Sequence, residues 1–257
     1  MIDCGSFEFA QARVQARHGL RASELTWQRL ETTRDFAALL EVVRQSPLRP
    51  WTVGITAADA HQIEGRLRIH WRAAVDEVAA WMPLAWQASL RWCATLPELP
   101  SLQHLARGND APAWMRDDAA YRALAAAPPA ERASALTPGL FSPLRPAWSA
   151  PESLAQAWHS EWQRRLPQPL ASEPASLALV AAALREHGRA FAAAAASGAA
   201  HGGLLRRALH ARLVLLLRRA TAQPAVAFIH LALTALDLER LRGELLSRAL
   251  FTPAKVA

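Results

Sequence analysis

The residues best suited to chemistry are the nine histidines, because imidazole is both an acid–base catalyst and a common metal ligand. Their spacing argues against both roles. His61 precedes Glu64 and His159 precedes Glu161, but there is no Glu-x-x-His pair of the kind that di-iron bundles use. Zinc motifs of the His-Glu-x-x-His or paired-cysteine type are also missing. We therefore expect surface or hydrogen-bonded core histidines and no bound metal.

Other catalytic motifs are missing from the sequence as well. A phosphate-binding Gly-x-x-x-x-Gly-Lys loop is excluded because Lys255 is the only lysine, and no Gly-x-Ser-x-Gly sequence is present. Asp117 and Asp118 are adjacent carboxylates, but neighbouring residues on a helix point about 100° apart, so we expect both to be solvated. We assign no catalytic residue and no cofactor, and we expect a protein that is not an enzyme.

The ten tryptophans all lie at or before Trp162. Several fall on apolar helix faces and are expected to fill the core rather than to stack on bases: Trp71, Trp81, Trp86, Trp158 and Trp162. Trp51, Trp114 and Trp148 stand near loops, so we expect these three to be freer to contact a partner protein.

The elements that would position these residues are helices. The longest uninterrupted pattern runs over 56–82, where apolar residues recur at intervals of three and four, Thr56 with Asp59 resembles a capping box, and Pro83 stops the helix. Because β-branched residues show no period-two run, we predict an all-α, multi-helix bundle. The remaining predicted helices are 7–17, 23–30, 33–45, 83–95, 101–108, 112–126, 151–166, 173–196, 203–221 and 224–250.

Composition divides the chain into three regions, which we expect to form one compact body. Residues 1–108 are helical and rich in tryptophan, whereas 152–257 are helical and rich in Ala and Leu. Residues 109–151 contain one helix and then Pro138, Pro143, Pro146 and Pro151, so they indicate a linker or an irregular surface segment.

The net charge of +7 and the pI near 10.9 raise nucleic acid or an anionic membrane as partners. The arginines, however, are spread from Arg13 to Arg248 without a dense cluster, which favours a solvated surface over a nucleic-acid patch. Cys4 and Cys93 are too few for a disulfide framework, and the acidic N-terminal stretch is unlike a signal peptide. We expect a cytoplasmic protein with at most peripheral contact to a membrane.

Residues 9–17 (FAQARVQAR) resemble the opening helix of the C subunit, called d in eukaryotes, of V-type and archaeal A-type ATPases. That family begins with an aromatic residue and an Ala-Arg-Val-Arg-Ala-like run. The likeness continues through residues 36–43 (FAALLEVV), after which Ser46-Pro47 stands where the family has a Thr-Pro-Tyr-like turn.

Two further segments are similar to the same family. Ile63-Glu64 with Leu67 resembles the start of its next long helix. Residues 238–246 (LERLRGELL) are similar to its late helix, which has a Glu-x-x-x-Leu-Arg element. The chain departs from the family in having Leu48 at the aromatic position of the turn, in being shorter, and in its proline-rich middle.

The resemblance implies a funnel-like, all-helical, non-catalytic subunit that links the central stalk of a rotary ATPase to the membrane proteolipid ring. Its partners would be protein subunits, and it would lie on the inner face of the cell membrane. We add Arg240 and Arg242 of the late helix to the three loop tryptophans as the expected partner interface. Two alternatives remain open: a helical adaptor or scaffold in another complex, and an Arg-rich nucleic-acid-binding protein.

Overall fold

The computed structural model describes residues 5–137, 139–167, 175–198 and 202–251. Across these residues the chain forms thirteen α-helices and no strand, so the predicted all-α, multi-helix class is confirmed. In chain order the helices are α1 (Gly5–Gly19), α2 (Glu24–Thr32), α3 (Phe36–Arg44), α4 (Ala60–Ala80), α5 (Leu84–Trp92), α6 (Leu99–Ala106), α7 (Trp114–Asp117), α8 (Arg122–Ala126), α9 (Arg132–Ala135), α10 (Leu154–Arg164), α11 (Ala175–Ala196), α12 (Gly202–Arg219) and α13 (Ala225–Phe251).

Two compact units divide the chain, and each is assembled from three separate segments. The first unit contains Met1–Arg21, Asp76–Leu90 and Pro167–Leu241. The second unit contains Ala22–Val75, Arg91–Leu166 and Arg242–Ala257. Three helices, α4, α5 and α13, therefore contribute residues to both units. The three-region division drawn from composition stays a prediction.

In the first unit, aromatic side chains join α1, α5 and α13. The ring of Trp86 meets Phe7 edge-on at 6.1 Å between centroids, and it meets Phe228 in the same manner at 6.5 Å. All three side chains are buried, and edge-to-face contacts of this kind add to the stabilisation that burial provides.

In the second unit, a reciprocal pair of tryptophans joins α5 to α10. The rings of Trp92 and Trp158 stack at 6.3 Å, and the indole N–H of Trp92 donates to the backbone oxygen of Trp158 at 3.0 Å. The indole N–H of Trp158 donates to the Thr95 hydroxyl at 2.8 Å. Both tryptophans are buried, as the sequence predicted for Trp158, because each polar indole nitrogen has a partner.

The structure corrects the start of the long helix. Helix α4 begins at Ala60 rather than Thr56, because the Asp59 carboxylate accepts the backbone N–H of His61 at 2.8 Å. The backbone N–H of Thr56 donates instead to the Gln62 side chain at 2.9 Å. Asp59 therefore occupies the N-cap position that the sequence predicted for Thr56.

The single helix predicted over 112–126 is wrong. The chain forms α7 and α8 there, separated by residues 118–121, and the backbone of Asp118 is extended (φ −81°, ψ 121°). The Asp118 carboxylate accepts the backbone N–H of Ala120 at 2.9 Å, so its side chain competes with the helical ladder and forms a turn.

Helices α11 and α12 form an antiparallel hairpin within the first unit. Glu186 of α11 pairs with Arg212 of α12, and a Cβ at Gly202 would lie 3.4 Å from the Phe191 ring. A Cβ at that distance would make a van der Waals contact with the ring, so Gly202 and Phe191 lie close together across the hairpin.

Candidate functional site

Two arginines on α4 position the densest group of buried charges in the second unit. Arg68 and Arg72 are one helical turn apart, so their side chains project from the same side of α4. Both reach Glu98, which directly precedes α6, and Arg72 also reaches Asp118 between α7 and α8. We call Arg68, Arg72, Glu98, Asp118 and Tyr121 the Glu98 cluster.

Glu98 lies at the centre of this cluster and has no exposed surface. Its Oε2 atom accepts hydrogen bonds from Arg68 Nη1 and, at 3.0 Å, from the Tyr121 hydroxyl. Its Oε1 atom lies 3.4 Å from Arg72 Nη2. A buried carboxylate is costly unless it is paired, and here two guanidinium groups and one hydroxyl share the pairing.

The two arginines are held from other sides as well. Arg72 makes a bidentate pair with Asp118, in which Nη1 donates to Oδ1 at 3.0 Å. Arg68 donates to the Ser101 hydroxyl at 3.2 Å, and its guanidinium lies 4.4 Å from the centre of the Trp114 ring. Such planar contacts fix a guanidinium in one orientation.

The protonation of the cluster follows from burial and from these neighbours. Burial raises the pKa of Glu98, while the charges of Arg68 and Arg72 and the hydrogen bond from Tyr121 act in the opposite direction. Burial and the charge of Glu98 raise the pKa of Tyr121 well above its ordinary value. Tyr121 is therefore a neutral hydrogen-bond donor at physiological pH.

This arrangement joins α4 to the segments that carry Glu98 and Asp118. The charges alternate in sign, and both carboxylates point at guanidinium groups of the same chain. The expectation that Asp118 is solvated is wrong, because its side chain is buried against Arg72. A perturbed carboxylate is often a sign of a catalytic site. For Glu98 the main cause of the raised pKa is burial, and the ion pairs with Arg68 and Arg72 oppose it.

A second group of polar side chains lies in the first unit, where the end of α1 meets α13. Arg21 donates to Asp237 at 2.9 Å and to the backbone oxygen of Leu233 at 3.1 Å. Within the described residues, three buried atoms of this group have no hydrogen-bond partner: Nδ1 of His18, Nη1 of Arg21 and Nδ1 of His230. The expectation of satisfied or surface histidines is therefore wrong for His230, which is buried with one ring nitrogen unpaired.

Both histidines of this group are uncharged at neutral pH. Burial lowers the pKa of His230 to about 4, and the charges of Arg21, His18 and Arg17 act in the same direction. Burial also lowers the pKa of His18, with Arg21 and Arg218 reinforcing the effect. No set of three or more His, Cys, Asp or Glu side chains in the described part of the chain could hold a metal ion.

The structure buries two of the five expected interface residues and leaves a third exposed. Arg242 is exposed and pairs with Glu64, which lies 3.6 Å from Arg68, and Arg68 lies over Trp114. Trp114 and Trp148 are 8% and 6% exposed, so their rings are occupied within the chain's own core.

The other two expected residues are partly accessible. Trp51 is half-buried in a short 3-10 helix, Arg49–Thr52, and Arg240 is half-buried on α13. A shared interface of these five residues stays a prediction.

Sequence reasoning missed the Glu98 cluster, although a signal was available. Glu98 is a lone acid between Leu96-Pro97 and Leu99-Pro100, in a segment too apolar to leave a carboxylate solvated. A buried acid needs cationic partners, and Arg68 and Arg72 share a helix side at a spacing of four. What the sequence does not indicate is that α6 lies against this side of α4.

The fold and these clusters define a class: an all-helical protein whose buried charges join its own helices. None of the helices in the described ranges has the length and apolar character that would let it cross a membrane. Comparisons with protein-family models, with curated proteins and with solved structures found no match.

Proposed function

We propose that this chain is a non-catalytic coupling subunit of the C/d type, which links the central stalk of a V-type or A-type rotary ATPase to its membrane proteolipid ring. In that role the protein transmits force through contacts with other protein subunits. It acts on the cytoplasmic face of the membrane and needs no cofactor.

The observation that carries the proposal is the use of buried charge as cross-links between helices. A part that transmits torque has to resist deformation, and the Glu98 cluster ties α4 to the segments around α6, α7 and α8. Oriented ion pairs of this kind favour one rigid arrangement over alternatives, although Glu98 Oε1 and the Nε atoms of Arg68 and Arg72 have no hydrogen-bond partner among the described residues.

The segments that resemble the C/d family give separate support. Residues 9–17 and 36–43 lie in α1 and α3, as helical elements of that family should. Glu64, in the segment that resembles the family's long helix, pairs with Arg242 in the segment that resembles its late helix. The two likenesses therefore belong to elements that contact each other.

The test is purification of the tagged protein from its own cells in a gentle detergent, followed by mass spectrometry of the bound proteins. We expect proteolipid-ring and central-stalk subunits to be retained. Recovery of a different stable partner from membranes that contain the rotary ATPase would reject the coupling role and favour the helical adaptor.

A pair of variants locates the contact. Trp51→Ala removes an expected interface side chain, whereas Leu25→Ala removes an apolar side chain that is 76% exposed on α2 and lies outside the expected interface. We expect the first variant to lose stalk or ring subunits and the second to retain them. Equal retention by both would remove Trp51 from the interface.

A further inference from the structure

The positive charge of the protein is concentrated on one element, the α11–α12 hairpin. Its described residues, 175–198 and 202–219, contain a single acid, Glu186. The same residues contain these arginines: Arg185, Arg189, Arg206, Arg207, Arg212, Arg218 and Arg219. The hairpin thus carries a formal charge of 7 − 1 = +6, against +7 for the whole chain. The sequence led us to expect arginines spread along the chain without a dense cluster, and the hairpin departs from that expectation.

Helix α12 has two apolar sides, and only one of them is buried. Leu209, Leu213 and Leu217 recur every four residues and are buried in the first unit. On the opposite side lies a second stripe with the spacing of four, three and four, in which every residue is exposed: Leu204, Ala208, Ala211 and Leu215. Leu204 and Leu215 are 57% and 53% exposed.

Arginines flank this exposed stripe on both sides. At about 100° per residue, Arg207 and Arg218 lie along one edge of the stripe, and Arg212 and Arg219 lie along the other. All four are exposed, although Arg212 also pairs with Glu186 of α11. We call this face, with its stripe and its flanking arginines, the outer face of α12.

The neighbouring helix extends the same chemistry. After Ala183 no described residue of α11 is buried, so the distal half of the hairpin receives little cover. Arg185 and Arg189 line a shallow cleft on this part of α11, and Phe191 is 41% exposed. Arginine and apolar side chains are thus exposed together on both helices.

We infer that the outer face of α12 binds the surface of an anionic lipid bilayer. An apolar stripe with arginines at both edges is the arrangement by which a helix lies in the plane of a membrane interface, with leucines in the acyl boundary and guanidinium groups on lipid phosphates. A nucleic acid would use the arginines but would leave Leu204 and Leu215 in water. The charge, with one acid among seven arginines, favours an anionic partner over a neutral one.

The test is co-sedimentation of the full chain with vesicles of phosphatidylcholine containing phosphatidylglycerol, with phosphatidylcholine vesicles for comparison. We expect binding to the anionic vesicles only, weakening as salt is raised. The triple variant R207Q/R218Q/R219Q should bind on the order of 100-fold more weakly, since each arginine near an anionic surface contributes several-fold. The triple variant R34Q/R116Q/R122Q has the same net charge, with the changes on exposed residues elsewhere, and should bind as the wild type does.

A second pair of variants separates lipid from nucleic acid. The change L204S/L215S should weaken vesicle binding roughly tenfold, because it removes the apolar contact and leaves the charge intact. The control L25S/L84S replaces two leucines that are more exposed still, at 76% and 82%, and should have no effect. Circular dichroism and size-exclusion chromatography confirm that each variant is folded.

Three results would overturn the inference. They are equal binding to neutral and anionic vesicles, no binding to either, and an equal loss in R34Q/R116Q/R122Q. Binding to an oligonucleotide that R207Q/R218Q/R219Q abolishes and L204S/L215S preserves, without vesicle binding, would assign the face to nucleic acid. None of these results depends on the presence of a rotary ATPase.

Discussion

Arg72 shows how much a single side chain can determine in this protein. It pairs with two carboxylates, Glu98 and Asp118, which lie in different segments of the second unit and are both buried. Because a buried carboxylate without a partner is far more costly than a pair is favourable, the importance of Arg72 lies in what its loss would leave behind.

Replacing Arg72 by Gln should lower the free energy of unfolding by about 3 kcal/mol, the usual cost of breaking a buried ion pair from one side. Urea unfolding followed by tryptophan fluorescence measures the change. Arg66→Gln, on an exposed side of the same helix, should change it by less than about 0.5 kcal/mol.

The difference in free energy of unfolding between the wild type and Arg72→Gln should become smaller as the pH falls. Loss of Arg72 raises the pKa of Glu98 further, so the folded variant binds a proton more tightly than the unfolded chain and gains stability on acidification. A deficit that is the same at neutral and acidic pH would show that packing, rather than charge, is what Arg72 contributes.

For His230 we predict the opposite pH dependence, in which acidification lowers the stability of the folded protein. Its pKa in the folded protein is lowered from 6.5 to about 4, so the folded state binds fewer protons than the unfolded state between these values. The stabilisation is complete above 6.5 and is lost as the pH falls towards 4, by about 3 kcal/mol in all for this residue.

Urea unfolding at a series of pH values checks this prediction. With His230→Gln, the free energy of unfolding should depend less steeply on pH. A smaller fall on acidification should remain from His18, whose pKa is lowered by burial in the same group of side chains. His61→Gln, at an exposed position, should keep the wild-type slope. If His230→Gln retained the full slope, another group would be responsible.

At the scale of elements, the ends of the helices show which features the sequence alone can indicate. Ser23 caps α2 by accepting the backbone N–H of Thr26 at 3.2 Å. Helix α3 is capped by Asp35, while the Thr32 hydroxyl donates back into α2. Local capping chemistry is readable because the partners are adjacent in sequence.

The features that sequence reasoning missed are made by partners distant in the chain. The break between α7 and α8 depends on Asp118, which Arg72 holds from another helix. The exposed stripe of α12 has the same period as a buried one, and periodicity alone does not say which of two apolar sides faces the core. Both outcomes are decided by tertiary packing.

The C-terminal end of α2 is held by a side chain from α13. Arg248 of α13 donates to the backbone oxygens of Glu31 at 2.8 Å and of Thr33 at 3.0 Å, so a distant side chain satisfies carbonyls that the helix end leaves unpaired. Arg248→Met should cost about 2 kcal/mol and should accelerate hydrogen exchange of α2 amides.

Arg242→Met is the matched control on the same helix. Arg242 is 44% exposed and pairs with Glu64, so its loss should cost no more than about 1 kcal/mol. Equal costs for the two variants would contradict a specific role of Arg248 at the end of α2.

For the whole molecule, the charge and burial of the hairpin predict where a protease acts first. Arg185, Arg189 and Arg207 are exposed, and the distal half of α11 has no buried residue whose loss would oppose local opening. Brief trypsin digestion followed by mass spectrometry should show first cuts at these arginines. Early cleavage after the buried Arg132 would contradict the burial pattern.

The assembly of each unit from three chain segments has a consequence for biosynthesis. The second unit begins at Ala22 and is completed by residues that follow Arg242, and the contact of Arg248 with Thr33 spans 215 positions. At the usual speed of a ribosome, these partners emerge on the order of ten seconds or more apart. The nascent chain must therefore carry the end of α2 without Arg248 during that time, so the backbone oxygens of Glu31 and Thr33 lack this partner until α13 has been synthesised.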